Sequence, residues 1–299
     1  MESNELRISA RPTLRRPILL TAFQGWNDGG QAATLAGGYL ARLWGAERFA
    51  DIDPVGFVDF QATRPQVSLD EGMTRHIAWP ENAFYHASIP DADRDAVILL
   101  GVEPNYRWRT FVDLTVGLAR DLDVSLVVTL GALLADVPHT RAAPVTGAAT
   151  DPKLVEELGL RQSRYEGPTG IVGVLHDACA RQGTSSVSLW AAVPHYVSLA
   201  PSPRAARALC ARLSDLLGIS IDLTELEEAE RSYAEQVSEA VASDAETAAY
   251  VEELERRADS LEQFVDEGGF PSGDSIAAEL TRFLREREQD DDDELPRER

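Results

Sequence analysis

Two stretches, Ala96-Val97-Ile98-Leu99-Leu100 and Leu126-Val127-Val128-Thr129-Leu130, are apolar at almost every position. A strand with one wet face alternates apolar and polar residues, whereas a continuous apolar run suits a strand covered on both faces. These runs extend to Ala96–Gly101 and Ser125–Gly131, and Ile18–Ala22 and Val187–Val193 are of the same kind. Shorter runs at Val55–Phe60, Arg75–Trp79 and Ala83–Ile89 also read as strands. Helical apolar spacing occupies Gln31–Leu43, Thr110–Leu122, Pro152–Leu158, Gly170–Arg181 and Pro203–Leu217. Strands alternating with helices predict an α/β fold built on a mainly parallel sheet. The shorter strands at 55–89 have no helices between them and predict antiparallel hairpins.

Charge divides the chain. Residues 221–299 carry 26 acidic and 8 basic side chains, against 24 and 20 in residues 1–220. The expected organisation is therefore a flexible polar arm at 1–16, an α/β core at 17–220, an acidic helical extension at 221–288 and a disordered acidic tail at 289–299. In the extension, Leu223, Leu226, Tyr233, Val237, Ala240, Val251, Leu254, Ala258, Leu261 and Val265 share one helical stripe. Ser243 followed by Glu246 fits a capping box, which predicts two helices parting near 243. Gly268-Gly269 ends the second, and Ser272 or Asp274 caps a third carrying Ile276, Leu280, Phe283 and Leu284.

Composition excludes several function classes. The net charge of −22 disfavours nucleic acid and anionic membranes, which attract basic residues. No run of about 18 apolar residues predicts a transmembrane helix. The apolar run after Arg15-Arg16 is too short for a secretory segment, so a cytoplasmic setting is expected. Cys179 and Cys210 both lie in apolar helical patterns and read as buried thiols. Lys153 is the single lysine, so neither a Walker A loop nor a ready Schiff-base lysine is present. His76, His86, His139, His176 and His195 lack metal-ligand spacing, and no G-x-S-x-G elbow occurs. No metal and no cofactor is expected.

The polar residues that remain cluster after strands, where open α/β sheets collect ligands. Gly25-Trp26-Asn27-Asp28-Gly29-Gly30 follows the first apolar run. It reads either as a tight turn in which Asn27 or Asp28 caps the next helix, or as a pocket loop. Asp59 to Pro65 contributes Arg64, and Gly101 to Arg109 contributes Glu103, Arg107 and Arg109. Glu103 is either a site carboxylate or the partner of a nearby arginine that holds the loop. Pro138-His139-Thr140-Arg141 and Pro194-His195-Tyr196 place two Pro-His pairs after strands, able to converge at one edge. Tyr165-Glu166-Gly167-Pro168-Thr169-Gly170 precedes a helix and brings Glu166 towards that edge. The candidate pocket is thus Asn27, Asp28, Arg64, Glu103, Arg107, His139, Arg141, Glu166 and His195.

Taken in order, Phe23 to Asp28, Asp59 to Pro65, Gly101 to Pro104, Arg107 to Arg109, Leu130 to Arg141, Tyr165 to Gly170, Ser188 to Tyr196 and Pro271 to Asp274 resemble the proteasome assembly chaperone 2 family, in its actinobacterial-type branch. The resemblance spans about 17 to 287. It implies a three-layer α/β sandwich similar to the purine nucleoside phosphorylase-like fold, with a helical C-terminal extension. It also implies self-association as a homotrimer and proteasome subunits as partners. Some relatives dock on the α-ring through a hydrophobic-Tyr-X tail. Leu295-Pro296-Arg297-Glu298-Arg299 departs from that pattern.

Two functions follow. One is a non-enzymatic assembly factor or adaptor that works through protein contacts. The other is a phosphorylase- or hydrolase-like enzyme or small-molecule binder. There, Arg64, Arg107 or Arg141 would hold phosphate, Glu103 or Glu166 a ribose, and His139 or His195 would move a proton.

Overall fold

The computed structural model describes residues 5–70, 74–151, 153, 161–162 and 166–266. The sheet is centred on four parallel strands: β2 (Ile18–Gln24), β7 (Asp95–Val102), β8 (Leu126–Ala135) and β11 (Ser186–Pro194). Five further strands extend it: β1 (Leu6–Ile8), β3 (Glu47–Ile52), β6 (Asn82–Ser88), β9 (Val145–Ala149) and β10 (Arg161–Gln162). The order is β1-β3-β6-β7-β2-β8-β11-β9-β10. The flanks join the centre antiparallel, through β6 on β7 and β9 on β11. Two strands outside this sheet, β4 (Gln66–Asp70) and β5 (Thr74–Ala78), form a separate antiparallel hairpin.

The continuous apolar runs are explained by helices on both faces. Ile18, Leu20 and Ala22 of β2 join Ala96, Ile98, Val128, Leu130, Val187 and Leu189 on one face. That face is closed by α1 (Ala32–Leu43) and α4 (Pro203–Leu217), through Ala36, Leu40, Ala206, Leu209 and Leu213. Leu19, Phe23, Val97, Leu99 and Val127 point the other way. They meet α2 (Trp108–Asp121) and α3 (Ile171–Arg181), through Phe111, Val116, Ile171 and Leu175. Phe111 makes T-shaped contacts with Phe23 and Phe57 at centroid distances of 5.9 and 5.8 Å. Helices on both faces of one sheet give three layers.

Several expectations are corrected. Val55–Phe60 is a turn, because Pro54 and Gly56 at φ 88° break the extended chain. Phe57 and Val58 are apolar because they turn into the core, while Val55 at the start of the turn is exposed. The strand of this region is Glu47–Ile52, whose first residues are exposed, so it showed no apolar run. The N-terminal arm is not loose over its described length. Leu6–Ile8 pairs with Ala50–Ile52, and Arg15 grips Asp95 through its main-chain N–H at 2.7 Å and its guanidinium at 2.7 Å.

Beyond α4, the helices α5 (Thr224–Ala242) and α6 (Ala245–Asp266) part at 243–244 as the pattern predicts. The cap is Asp244, not Ser243. Ser243 keeps helical angles and donates its hydroxyl to the Ala240 carbonyl at 2.7 Å. The Asp244 carboxylate accepts from the Glu246 N–H at 3.2 Å and the Thr247 hydroxyl at 2.6 Å. The chain divides into two units at Val251 and Glu252, not at the change in composition near 220. Leu226 of α5 belongs to the same core as α1 and α4, which draws this acidic helix into the first unit. In the second unit, Glu253 pairs with Arg256 and Arg257 along the helix surface. Of the expected helix at 152–158 only residue 153 is among the described residues, and the Gly268-Gly269 stop, the third helix and the tail lie outside them.

Candidate functional site

β2 and β7 are parallel neighbours whose chains leave on opposite faces, β2 to α1 and β7 to α2. The loops at their carboxyl ends therefore part and leave a crevice between them. Glu103 occupies it. Its Oε1 accepts from the Asn27 side-chain amide at 2.7 Å and from the Ile171 N–H at 2.8 Å, and its Oε2 accepts from the Trp26 N–H at 3.1 Å. The carboxylate thus ties two strand-end loops to the N-terminus of α3, where negative charge meets unpaired N–H groups. Gly25 allows this approach. Its φ is +144°, and a Cβ there would lie 2.8 Å from the Glu103 Cβ. Asn27 is fully buried, its carbonyl accepts from the Ala132 N–H at 2.8 Å, and its Oδ1 accepts no hydrogen bond.

Asp28 turns to α1. It accepts from the Ala33 N–H at 2.8 Å, the Thr34 N–H at 3.2 Å and the Thr34 hydroxyl. Burial pushes its carboxyl above the ordinary range, against those three hydrogen bonds, which favour the charge. Of the two readings of this loop, capping describes Asp28. Asn27 serves Glu103 instead.

The two Pro-His pairs do converge, on Tyr196. The Tyr196 hydroxyl accepts from the His139 N–H at 2.7 Å and lies 2.8 Å from its Nδ1, while His139 Nε2 lies 3.1 Å from the Ser238 hydroxyl of α5. His139 is buried. His195 is half exposed, with Nδ1 3.1 Å from an Asp136 oxygen and its ring edge-on to Tyr196 and Tyr250.

The remaining candidates sit on separate loops. Arg107 pairs with Glu5 of the N-terminal segment and lies 4.9 Å over the Phe57 ring. Arg64 is exposed between β3 and β4, Arg141 reaches the Thr140 hydroxyl at 3.3 Å between β8 and β9, and Glu166 is exposed ahead of α3. Arg109 is exposed, and amides rather than an arginine hold Glu103. Asp59 does join its loop to the next, accepting from the Tyr106 hydroxyl at 3.1 Å, and the Gln61 N–H and that hydroxyl hold its carboxyl below the ordinary range. Among the described residues, no group of three or more His, Cys, Asp or Glu side chains is placed to hold a metal ion, and no helix is long and apolar enough to cross a membrane.

Sequence reading missed a groove of about 610 Å³ between α1 and α5, floored by the loop Leu199 to Pro203. Its residues sit on two helices far apart in sequence, with no motif to join them. The Pro201-Ser202-Pro203 run ahead of α4 was the available local signal.

The model of the PAC2 family matches residues 22–241. No curated protein matches the chain. A solved structure of a Mycobacterium tuberculosis proteasome-assembly chaperone homologue is 44% identical, covering 78% of this chain and 99% of that one, with a TM-score of 0.72. A PAC2 family protein of Streptomyces avermitilis is 45% identical over 79% and 99%, with a TM-score of 0.71. A Mycobacterium tuberculosis protein of unknown function is 26% identical over 88% and 94%, with a TM-score of 0.80.

Proposed function

The chain belongs to the PAC2 family, and from that premise we propose that it is a proteasome-assembly-chaperone-like protein acting as a non-enzymatic assembly factor or adaptor through protein–protein contacts. The observation that carries the reading is the 44% identity to a proteasome-assembly chaperone homologue across 99% of that protein. The site chemistry supports it. Glu103 and Asp28 hold the protein's own amides, and His139 is fixed between Tyr196 and Ser238. Groups committed in this way brace loops. Trp26 and Tyr106, on the loops so braced, stand largely exposed, as aromatic contact residues do. The reading includes proteasome subunits as partners, a homotrimeric state and a cytoplasmic setting.

The test uses purified full-length protein and separately expressed actinobacterial proteasome α- and β-subunits. Native mass spectrometry follows binding and the time course of particle assembly. Binding to unassembled subunits with a changed assembly rate is expected. Neither binding nor a changed rate, at concentrations where the subunits assemble on their own, overturns the reading.

A further inference from the structure

Gly38 stands in the middle of α1, yet a Cβ at this position meets nothing within 4 Å. Glycine inside a helix costs about 1 kcal/mol relative to alanine. Packing within the monomer does not call for that cost. Gly38 faces the groove between α1 and α5, as does the exposed Ala229 on the opposite wall. Two small residues keep the walls low, and Leu35, Leu199, Pro201 and Tyr233 make the groove largely apolar. The α5 wall runs from Glu225 through Ala229 and Ser232 to Gln236, a single stripe about three turns long. A volume of about 610 Å³ suits a row of inserted side chains rather than a whole buried chain. That is how a helix lies in a groove.

Charge selects the occupant. Helical spacing sets Glu228, Glu235 and Glu239 along the flank of the α5 stripe next to Glu225, and all four are exposed. Arg42 is the cation lining the groove, and it is paired with Glu225. A second copy of this chain, with a net charge of −22, meets an anionic rim unfavourably.

We propose that the α1–α5 groove docks an amphipathic helix of a different protein, with basic residues flanking its apolar stripe. The inference rests on the partner-binding reading above and names the chemistry of the partner.

The test measures fluorescence anisotropy of the full chain with three labelled peptides of about 16 residues, enough to span the α5 stripe. One carries leucines at i, i+3, i+4 and i+7 with arginines on the flanks. The second replaces those arginines by glutamates. The third keeps the first composition but scatters the leucines. The basic striped peptide is expected to bind at near-physiological salt, and the other two to bind at least about tenfold more weakly. Gly38→Leu and Ala229→Leu fill the groove from opposite walls and are expected to weaken it by about tenfold or more, with no fall in Tm. Equal binding of striped and scattered peptides, or binding unchanged in both variants, is surface charge alone and overturns the proposal. Self-association that Gly38→Leu abolishes makes a second copy the occupant and also overturns it. The two failures are separable. Proteasome subunits binding wild type and both variants alike, with no groove-dependent peptide binding, removes the groove and leaves the adaptor reading. Groove-dependent peptide binding without any subunit binding does the reverse.

Discussion

Glu103 receives three N–H donors on one carboxylate, from Trp26, Asn27 and Ile171. Glutamine at this position can keep its oxygen on the part-buried Asn27 and Ile171 donors and turn its NH2 to the exposed Trp26 N–H, whereas alanine leaves all three donors unmatched. A part-buried donor left unmatched costs about 1–3 kcal/mol. Glu103→Ala is therefore expected to lower Tm by several degrees in differential scanning calorimetry and Glu103→Gln by less, and an unchanged Tm in Glu103→Ala would show that the latch carries no stability. Asp28 poses the complementary case. Asp28→Ala removes the cap of α1 and is expected to cost about 1–2 kcal/mol. Asp28→Asn keeps an acceptor and relieves the burial of charge, so its cost in denaturant unfolding is expected to be well under half of that. Asp95 supplies a pH test. Burial raises its pKa and the Arg15 hydrogen bonds and charge lower it, with the net value below the ordinary range. A depressed carboxyl contributes stability above the unfolded value of about 3.9, lost as pH falls through the folded value. In Arg15→Ala the burial and the main-chain N–H donor remain while the guanidinium is gone. The Asp95 titration followed by NMR is then expected to shift upward from that of wild type, and a titration unchanged from wild type would contradict this balance.

At the scale of elements, the parts legible in the sequence are those with one dominant physical signal. Ala96–Gly101 and Ser125–Gly131 are apolar because α1 and α4 cover one face of the sheet and α2 and α3 the other, and both are strands close to the expected bounds. Pro203–Leu217 carries its own start and stop, Pro203 in its first turn and Gly218 at φ 62° after its last residue, and its ends agree residue for residue. Val55–Phe60 misled because Phe57 and Val58, buried without extension, leave the same apolar trace as a strand. β9 escaped notice because Val145–Ala149 is short, small and partly buried. Of the candidate site, strand-end position alone located Glu103, Asn27 and Asp28. It said nothing of their partners, since Ile171 and Ala132 lie far along the chain. The cap between α5 and α6 turns on a similar detail. Asp244, held below the ordinary carboxyl range by the Thr247 hydroxyl and the Glu246 N–H, is the expected cap, and Ser243 is not. Asp244→Ala is expected to speed amide hydrogen exchange at Glu246 and Thr247, while Ser243→Ala leaves it unchanged. Equal effects of the two would restore the capping box to Ser243.

For the whole molecule, the proposed trimer needs a surface that outweighs a net charge of −22 on each copy. The β4–β5 hairpin offers one. Val67 stands directly opposite Ile77 on one face, with Leu69 beside them, and all three are more than half exposed. A two-stranded sheet standing alone is at best marginally stable in water. Contiguous apolar side chains left in solvent mark an association surface. Repulsion between copies is screened as salt rises, since the Debye length falls from about 30 Å at 0.01 M to about 8 Å at 0.15 M. Apolar contacts are not weakened by that change. Association through the hairpin is therefore expected to strengthen with salt, where association through ion pairs would weaken. Val67→Lys with Ile77→Lys substitutes exposed positions, so the monomer's stability is expected to change by no more than about 0.5 kcal/mol per site. Sedimentation velocity of wild type and the double variant at low and near-physiological salt separates the cases. A wild-type mass that grows with salt towards a trimer, and a variant that stays monomeric at both, place the interface on the hairpin. A variant that still associates like wild type moves the interface elsewhere. A wild type that stays monomeric at both salts, at tens of micromolar, removes self-association from the proposed function and leaves the hairpin face for a different protein to cover.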